Sequence, residues 1–376
     1  MAPDNFHKLG GGMVFLGSTS PVIPFVPFLT ERAAMHRLES LHATHAPFAP
    51  SVEDQVSNGL RLPNLRYPWA SACSPHAPFV EARMQQWLLQ HGLIPNERYR
   101  ARIAQAKLGW LAARCHPYAS LERLQTIANF YAWYFLVDDW FVGQTEKVSA
   151  YTISNLTAVI DVLDIGRVGN EPVYGETAWM DLCRQLRLSM SDPQFERFAH
   201  AMHLWVGMAG LRMLEHSHAR APRAHRHEAI LRHAGGLYPC LYLIDFGNGL
   251  PLPQEEYDQA NVQQLRRHTN RIVCWSSDVQ HLGMDVRQSA PHRNTVSLYA
   301  SQGYTLQRSV DRVSERIRSE IDAFICTASG VRESAGPALS AYIRGLKHWM
   351  SGYRDWLGSQ PGTQAFTGPD TAIKAW

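Results

Sequence analysis

From Pro78 onward, apolar residues recur at spacings of three and four, the period of helices that bury one face. The pattern predicts helices over Phe79–His91, Glu97–Cys115, Leu121–Val142, Val148–Leu163, Thr177–Met190, Gln194–His216 and His227–Asn248. It continues with Gln254–Met284, Thr295–Ser301, Leu306–Thr327 and Pro337–Leu357. Breakers separate these runs, among them His116-Pro117, the stretch Gly169 to Pro172, and Gly249-Leu250-Pro251. Neither strand alternation nor an Asn-Gly hairpin competes with this reading. Residues 1–65 differ, being rich in Pro, Gly, Ser and His, with one short helix expected around Leu29–Ala43. The expectation is an all-α protein: an irregular arm over 1–65, one helical domain over 66–360, and a tail over 361–376.

Composition narrows the class. Of 376 residues, 45% are hydrophobic and 18% charged, enough apolar mass for a large core. Lys and Arg number 36 against 33 Asp and Glu, so the net charge of +3 gives no argument for a nucleic-acid partner. No apolar run reaches the ~18 residues of a membrane span. Met13 to Leu29 is apolar, but Pro21, Pro24 and Pro27 interrupt it. That is no signal-peptide core, and it reads as an arm laid across a domain surface. The six cysteines, Cys73, Cys115, Cys183, Cys240, Cys274 and Cys326, are far apart with no C-x-x-C pair. They read as buried free thiols of a cytoplasmic protein.

Three segments carry candidate chemistry. In Phe130-Tyr-Ala-Trp-Tyr-Phe-Leu-Val-Asp-Asp, the carboxylates Asp138 and Asp139 close an almost wholly apolar helix. Burying unpaired carboxylates is costly, so the pair needs cations or an exposed helix end. A hard cation such as Mg²⁺, which takes few carboxylates plus phosphate and water, fits as well as a solvated terminus. In Trp275-Ser-Ser-Asp-Val-Gln-His-Leu-Gly-Met-Asp285, the residues Ser277, His281 and Asp285 fall within an ~80° stripe of one helix. Asp278 lies beside it. The stripe reads as a metal site or as a polar face, and imidazole is an unusual Mg²⁺ partner. In Arg232-His-Ala-Gly235-Gly236-Leu-Tyr-Pro239, a Gly pair and a Pro inside a helical run predict a kink. Arg232 stands just before it, placed to grip an anion in two-point fashion or simply to face solvent.

These segments, in this order, resemble those of the bacterial class I terpene synthases, over roughly Pro63 to Trp356. The flanks agree: Ser74-Pro-His-Ala-Pro-Phe79 with Trp87, Leu108 to Pro117, Gly249 to Pro253, and Asn294 with Val296. The resemblance implies one helical bundle around a deep apolar cavity, with three Mg²⁺ ions holding the diphosphate of a linear prenyl diphosphate. Ionisation of that diphosphate would give an allyl cation that cyclises against aromatic walls. Metal and Arg countercharge suit a departing anion, and a dry pocket with π faces suits a cation. By position, Asp138 resembles the metal-binding aspartate with Asp139 beside it, and Arg232 the diphosphate sensor. Gly235 and Gly236 match the linker and effector of the kinked helix. Ser277, His281 and Asp285 take the second metal motif, 45 residues after Arg232 for the first of them. Tyr134, Phe135, Trp349 and Trp356 read as cavity aromatics or as ordinary core packing, and Arg287, His292 and Arg293 as cations closing over the diphosphate or as a patch facing solvent.

The departures are specific. Val142 stands where the first motif has a later acidic residue, with Glu146 the nearest substitute. The second motif of the family has Asn, Ser and Glu where this chain has Ser277, His281 and Asp285. The alternative frame Asn270, Cys274 and Asp278 begins earlier on the same helix. A C-terminal Arg-Tyr pair is replaced by Gly362 and Thr363, with Tyr353 and Arg354 nearby. The implied function is therefore a cyclase acting on farnesyl or geranylgeranyl diphosphate, as a monomer or homodimer. A terpene-synthase-like protein that binds an isoprenoid or a partner without ionising it is the alternative. His216, His218, His225 and His227 form two His-x-His pairs that read as a solvated basic loop rather than a transition-metal site.

Overall fold

The computed structural model describes residues 60–138, 150–216, 224–287, 294–332 and 335–359, giving the backbone alone at 150–151, 215–216, 224–226, 283–287 and 332. Among the described residues every regular element is helical. The expected helix at Leu29–Ala43, the arm segment Met13–Leu29 and the tail 361–376 lie outside the described residues, as do Asp139, Glu146, His218, His292 and Arg293.

Helices α1 (Ala77–Gln90), α2 (Glu97–Ala106) and α3 (Leu108–Cys115) open the helical domain. The single helix expected over Glu97–Cys115 is two. Lys107 adopts a left-handed backbone (φ 49°) between them. The cause is tertiary. At Gly109 the α3 backbone lies against α1 with no room for a Cβ, and its N–H donates to Glu81 Oε2 at 2.8 Å. The chain turns at Lys107 to make that contact.

Helix α4 (Leu121–Val137) is capped by Ser120, whose Oγ accepts from Arg123 N–H. It carries the aromatic centre of the core. Trp133 stacks on Trp179 of α6 (Glu176–Ser189) with centroids 4.3 Å apart, and Phe130 meets Phe198 of α7 (Asp192–His216) edge-on at 5.2 Å. The buried indole N–H groups are satisfied: Trp133 donates to Gly175 O, and Trp179 to Val159 O on α5 (Ala150–Ile165). Burying such rings is the main apolar contribution to the domain, and it fixes the rotation of α4 and so the direction of its C-terminal end.

The run expected as one kinked helix over His227–Asn248 is three: α8 (Ala224–Ala234), α9 (Leu237–Leu241) and α10 (Ile244–Asn248). The Gly235-Gly236 break falls where expected, with Gly236 at φ +68°. A second break follows at Tyr242-Leu243. Pro239 lacks an amide donor, and Leu243 N–H bonds three residues back to Cys240 O, tightening the turn. A short α11 (Gln254–Tyr257) precedes α12 (Ala260–Arg287), α13 (Thr295–Ser301), α14 (Leu306–Arg332) and α15 (Pro337–Gly358). Helix α12 packs along α14, and α15 packs on both α3 and α12.

Two smaller expectations need correction. All six cysteines are free, but Cys73 and Cys326 are exposed rather than buried. His227 is wholly buried rather than solvated, because α8 turns it inward.

Candidate active site

A cavity of about 510 Å³ opens between α4, α7, the α8–α9 break, α12 and α15. That volume falls within the ~300–1,000 Å³ of small-molecule sites. Asp138, Arg232, Gly235, Gly236, Ser277 and His281 all line it, and so do Tyr134, Phe135, Trp349 and Trp356. Residues as distant in sequence as Tyr134 and Trp356 thus share one cavity, and the bond from Trp349 to Tyr131 ties α15 to α4.

Asp138 ends α4 one turn beyond Tyr134, and its N–H donates to Tyr134 O. Its charge and that of the Arg212 guanidinium both act on the Tyr134 hydroxyl, the carboxylate raising the phenol pKa and the guanidinium lowering it. Arg232 occupies the last turn of α8. Its carbonyl accepts from Asn270 Nδ2 at 3.2 Å, which ties the rim of the break to α12. On α12, Ser277 Oγ and His281 Nδ1 are hydrogen-bonded at 3.0 Å, and Ser277 also bonds with Tyr353 of α15. Asp278 has a structural duty besides lining the cavity. It accepts from Thr295 N–H at 3.0 Å, and Asn294 Nδ2 donates to its carbonyl, so it seats the start of α13. Ser277 and His281 of one frame line the cavity, and so do Asn270, Cys274 and Asp278 of the other. For Asp285 and Arg287 the structure gives backbone positions only, at the end of α12.

The apolar wall is quiet chemically. Trp356 donates its indole N–H to Ala106 O at 2.7 Å, and Trp349 donates to Tyr131 Oη at 3.1 Å. Burial pushes the Cys274 thiol up to about 12 and the Cys240 thiol higher still, so both line the cavity as neutral groups. Burial likewise keeps the Tyr131, Tyr134 and Tyr353 phenols neutral. Phe135 departs from a bare aromatic wall, because the Arg102 guanidinium lies 5.4 Å from its ring centroid.

Several lining residues carry no sequence motif. Arg212 sits on α7, Arg271 on α12 pairs with Glu320 at 2.8 Å, and Glu228 on α8 pairs with Arg316. Arg316 in turn covers the Trp275 ring at 4.0 Å. Glu320 is drawn two ways: burial raises its pKa, but the His268 hydrogen bond and the Arg271 charge outweigh that and leave it lowered. No spacing rule marks these residues, because each is set by helix-to-helix packing.

The donors suit a hard cation held largely by its ligand. Among the described residues no three His, Cys, Asp or Glu side chains are grouped to hold a metal by themselves. A site built from Asp138 oxygen, with a hydroxyl from Ser277 and phosphate oxygens from a substrate, fits the way Mg²⁺ binds one or two carboxylates and keeps the rest for phosphate and water. His281 is the poorly matched member.

Comparison with known proteins agrees with this geometry. The family model "Terpene synthase family 2, C-terminal metal binding" matches residues 129–323, just over half of the chain. A sesquiterpene synthase of Metarhizium brunneum is 45% identical over 306 residues, covering 81% of this chain and 89% of that one. A (2E,6E)-farnesyl-diphosphate-cyclizing corvol ether synthase of Kitasatospora setae is 44% identical, covering 79% and 92%. Among solved structures, the linalool/nerolidol synthase of Streptomyces clavuligerus superposes with a TM-score of 0.71 at 22% identity, covering 78% of this chain and all of that one. Hedycaryol synthase superposes with a TM-score of 0.69 at 19% identity, covering 79% of this chain and 98% of that one, and shares the fold. Family model and close relatives together show that this chain belongs to the terpene synthase family.

Proposed function

We propose that the protein is a class I terpene cyclase that ionises farnesyl diphosphate and folds the resulting cation into a cyclic sesquiterpene. The carrying observation is that Asp138, Arg232 and the Gly235-Gly236 break share one cavity with the aromatic wall of Tyr134, Trp349 and Trp356. Farnesyl diphosphate is preferred to geranylgeranyl diphosphate because the relatives at 44% and 23% identity are named for cyclising it. The catalytic domain is assigned to residues 66–360, and six free thiols accord with a cytoplasmic enzyme.

In this reading Mg²⁺, up to three ions, is held by Asp138 with Asp139, and by Ser277 with Asp285, and it supplies countercharge to the diphosphate. Arg232 grips phosphate oxygens through its guanidinium fork, which no ammonium group reproduces. The bond from Asn270 Nδ2 to Arg232 O keeps that residue at the break while charge develops. Arg287 and Arg293 are assigned to cover the diphosphate from the segment after α12. Tyr134, Phe135, Trp349 and Trp356 present π surface to the cation. The indole N–H groups of Trp356 and Trp349 are already bonded, to Ala106 O and Tyr131 Oη, which holds the two rings in place on the wall. His281 is assigned to hold Ser277 in orientation.

The test is Asp138→Ala assayed with Mg²⁺ and farnesyl diphosphate. Product formation falls below detection if Asp138 holds the metal. Product formation at the wild-type rate contradicts the assignment.

A further inference from the structure

Four arginines among the described residues line the cavity: Arg102, Arg212, Arg232 and Arg271. Each is a fixed positive charge, and a fixed positive charge repels a carbocation formed in the same cavity. Such a charge suits the cavity only where an anion matches it.

The surroundings of these side chains separate them. Arg271 donates to Glu320 Oε1 at 2.8 Å, and Glu320 also bonds His268, so its countercharge lies on α14. The Arg102 guanidinium is laid over the Phe135 ring. Arg354, the neighbour of Tyr353, turns to Asp355 Oδ1 at 2.7 Å and to the Tyr67 ring.

Arg212 is placed differently. It is half-buried on α7. Trp205 of the same helix packs on the Tyr134 ring at 5.1 Å between centroids. At about 100° per residue, Arg212 returns to within ~20° of the same face two turns later. Its charge and that of Asp138 both act on the Tyr134 hydroxyl, and that oxygen rests on Gly236 where a Cβ would lie. Helix α7 also packs on α8 and α9, the helices on either side of the break. Arg212 thus stands between the aspartate end of α4 and the Gly235-Gly236 break, with Arg232 in the turn before that break.

A diphosphate bound with metal suits this position. Once Asp138 is engaged by Mg²⁺ its charge is matched, and the guanidinium faces the phosphate oxygens. The planar fork fits two such oxygens at once. Half-burial strengthens the contact, because charges partly removed from water are screened less.

We propose that Arg212 is a second diphosphate-binding arginine, gripping from α7 the same diphosphate that Arg232 grips from α8. The inference rests on the cyclase reading above. The two guanidinium groups, on neighbouring helices, hold the leaving group at the break while its negative charge develops.

The experiment titrates the full-length protein with inorganic pyrophosphate at fixed Mg²⁺ and reads the heat of binding, with melting temperature measured alongside. Arg212→Gln removes the charge, and Arg212→Lys keeps the charge but loses the fork. The Kd for pyrophosphate is expected to rise at least about ten-fold in Arg212→Gln and several-fold in Arg212→Lys. Both are expected to melt within about 2 °C of wild type. Pyrophosphate binding involves no ionisation, so the readout does not depend on turnover. Wild-type affinity in Arg212→Gln overturns the inference and leaves the cyclase reading standing. So do variants that melt well below wild type as they lose affinity, since that marks Arg212 as a packing residue. A folded wild type that binds no pyrophosphate in the presence of Mg²⁺ overturns the cyclase reading and this inference with it.

Discussion

Tyr134 and Gly236 occupy each other's space: the phenol of one fills the volume where the other would carry a Cβ. One residue belongs to the aromatic face of α4 and the other to the break between α8 and α9. Their contact locks the end of α4, with Asp138 one turn further on, against the point where the helix bends. The glycine is doubly required, since its backbone is left-handed (φ +68°) and its Cα faces a ring with no other place to go.

Gly236→Ala therefore introduces a left-handed strain of about 1–3 kcal/mol together with a clash on Tyr134. Tyr134→Ala removes the clash but leaves the strain. Chemical denaturation of both single variants and the double variant is expected to show losses that fall short of additive by at least about 1 kcal/mol. Additive losses would mean the two residues do not compete for space.

Arg232→Lys keeps the charge and loses the two-point grip. It is expected to lower kcat/KM for farnesyl diphosphate by at least about ten-fold, or ~1.4 kcal/mol, with melting behaviour close to wild type. Steady-state diphosphate release checks this. A lysine that serves as well would reduce Arg232 to a surface countercharge.

His281→Ala removes the partner of Ser277 without removing a proposed ligand oxygen. The Mg²⁺ concentration for half-maximal activity is expected to rise several-fold, with most activity recovered at saturating Mg²⁺. A fall in activity that no Mg²⁺ restores would point to a direct role for the imidazole.

His116 predicts an acid-sensitive fold. Burial, reinforced by His348, pushes its pKa down to about 3, against ~6.5 in the unfolded chain. Between those values the unfolded chain binds a proton that the folded protein refuses. Stability from this group thus falls as pH drops from ~6.5 toward 3, by at most about 1.4 kcal/mol per pH unit. His116→Gln can still bond Tyr131 but does not titrate. Its melting temperature is expected to fall less steeply than wild type below pH 6.5, and parallel curves would refute the origin.

Local chemistry was the legible part of the sequence. The Gly235-Gly236 break was legible because glycine and proline state their backbone preference locally. Most helices were legible because a buried face repeats every three to four residues. The split at Lys107 was not, because its cause is the docking of Gly109 on Glu81, 28 positions away. Asp138, Arg232, Tyr134 and Trp349 could be found by motif and resemblance. Arg212, Glu228 and Arg271 could not, since each enters the cavity by the rotation of a helix whose pattern reads only as amphipathic. The dual role of Asp278, lining the cavity and seating α13, was equally hidden: a hydrogen bond to Thr295 N–H leaves no mark on spacing.

The most direct test of the account offers the purified protein geranyl, farnesyl, geranylgeranyl and geranylfarnesyl diphosphate in parallel, with and without Mg²⁺. Diphosphate release is followed alongside gas chromatography–mass spectrometry of organic extracts. The account predicts Mg²⁺-dependent release and a cyclic product with farnesyl diphosphate. No release from any of the four, by protein shown to be folded, would contradict it.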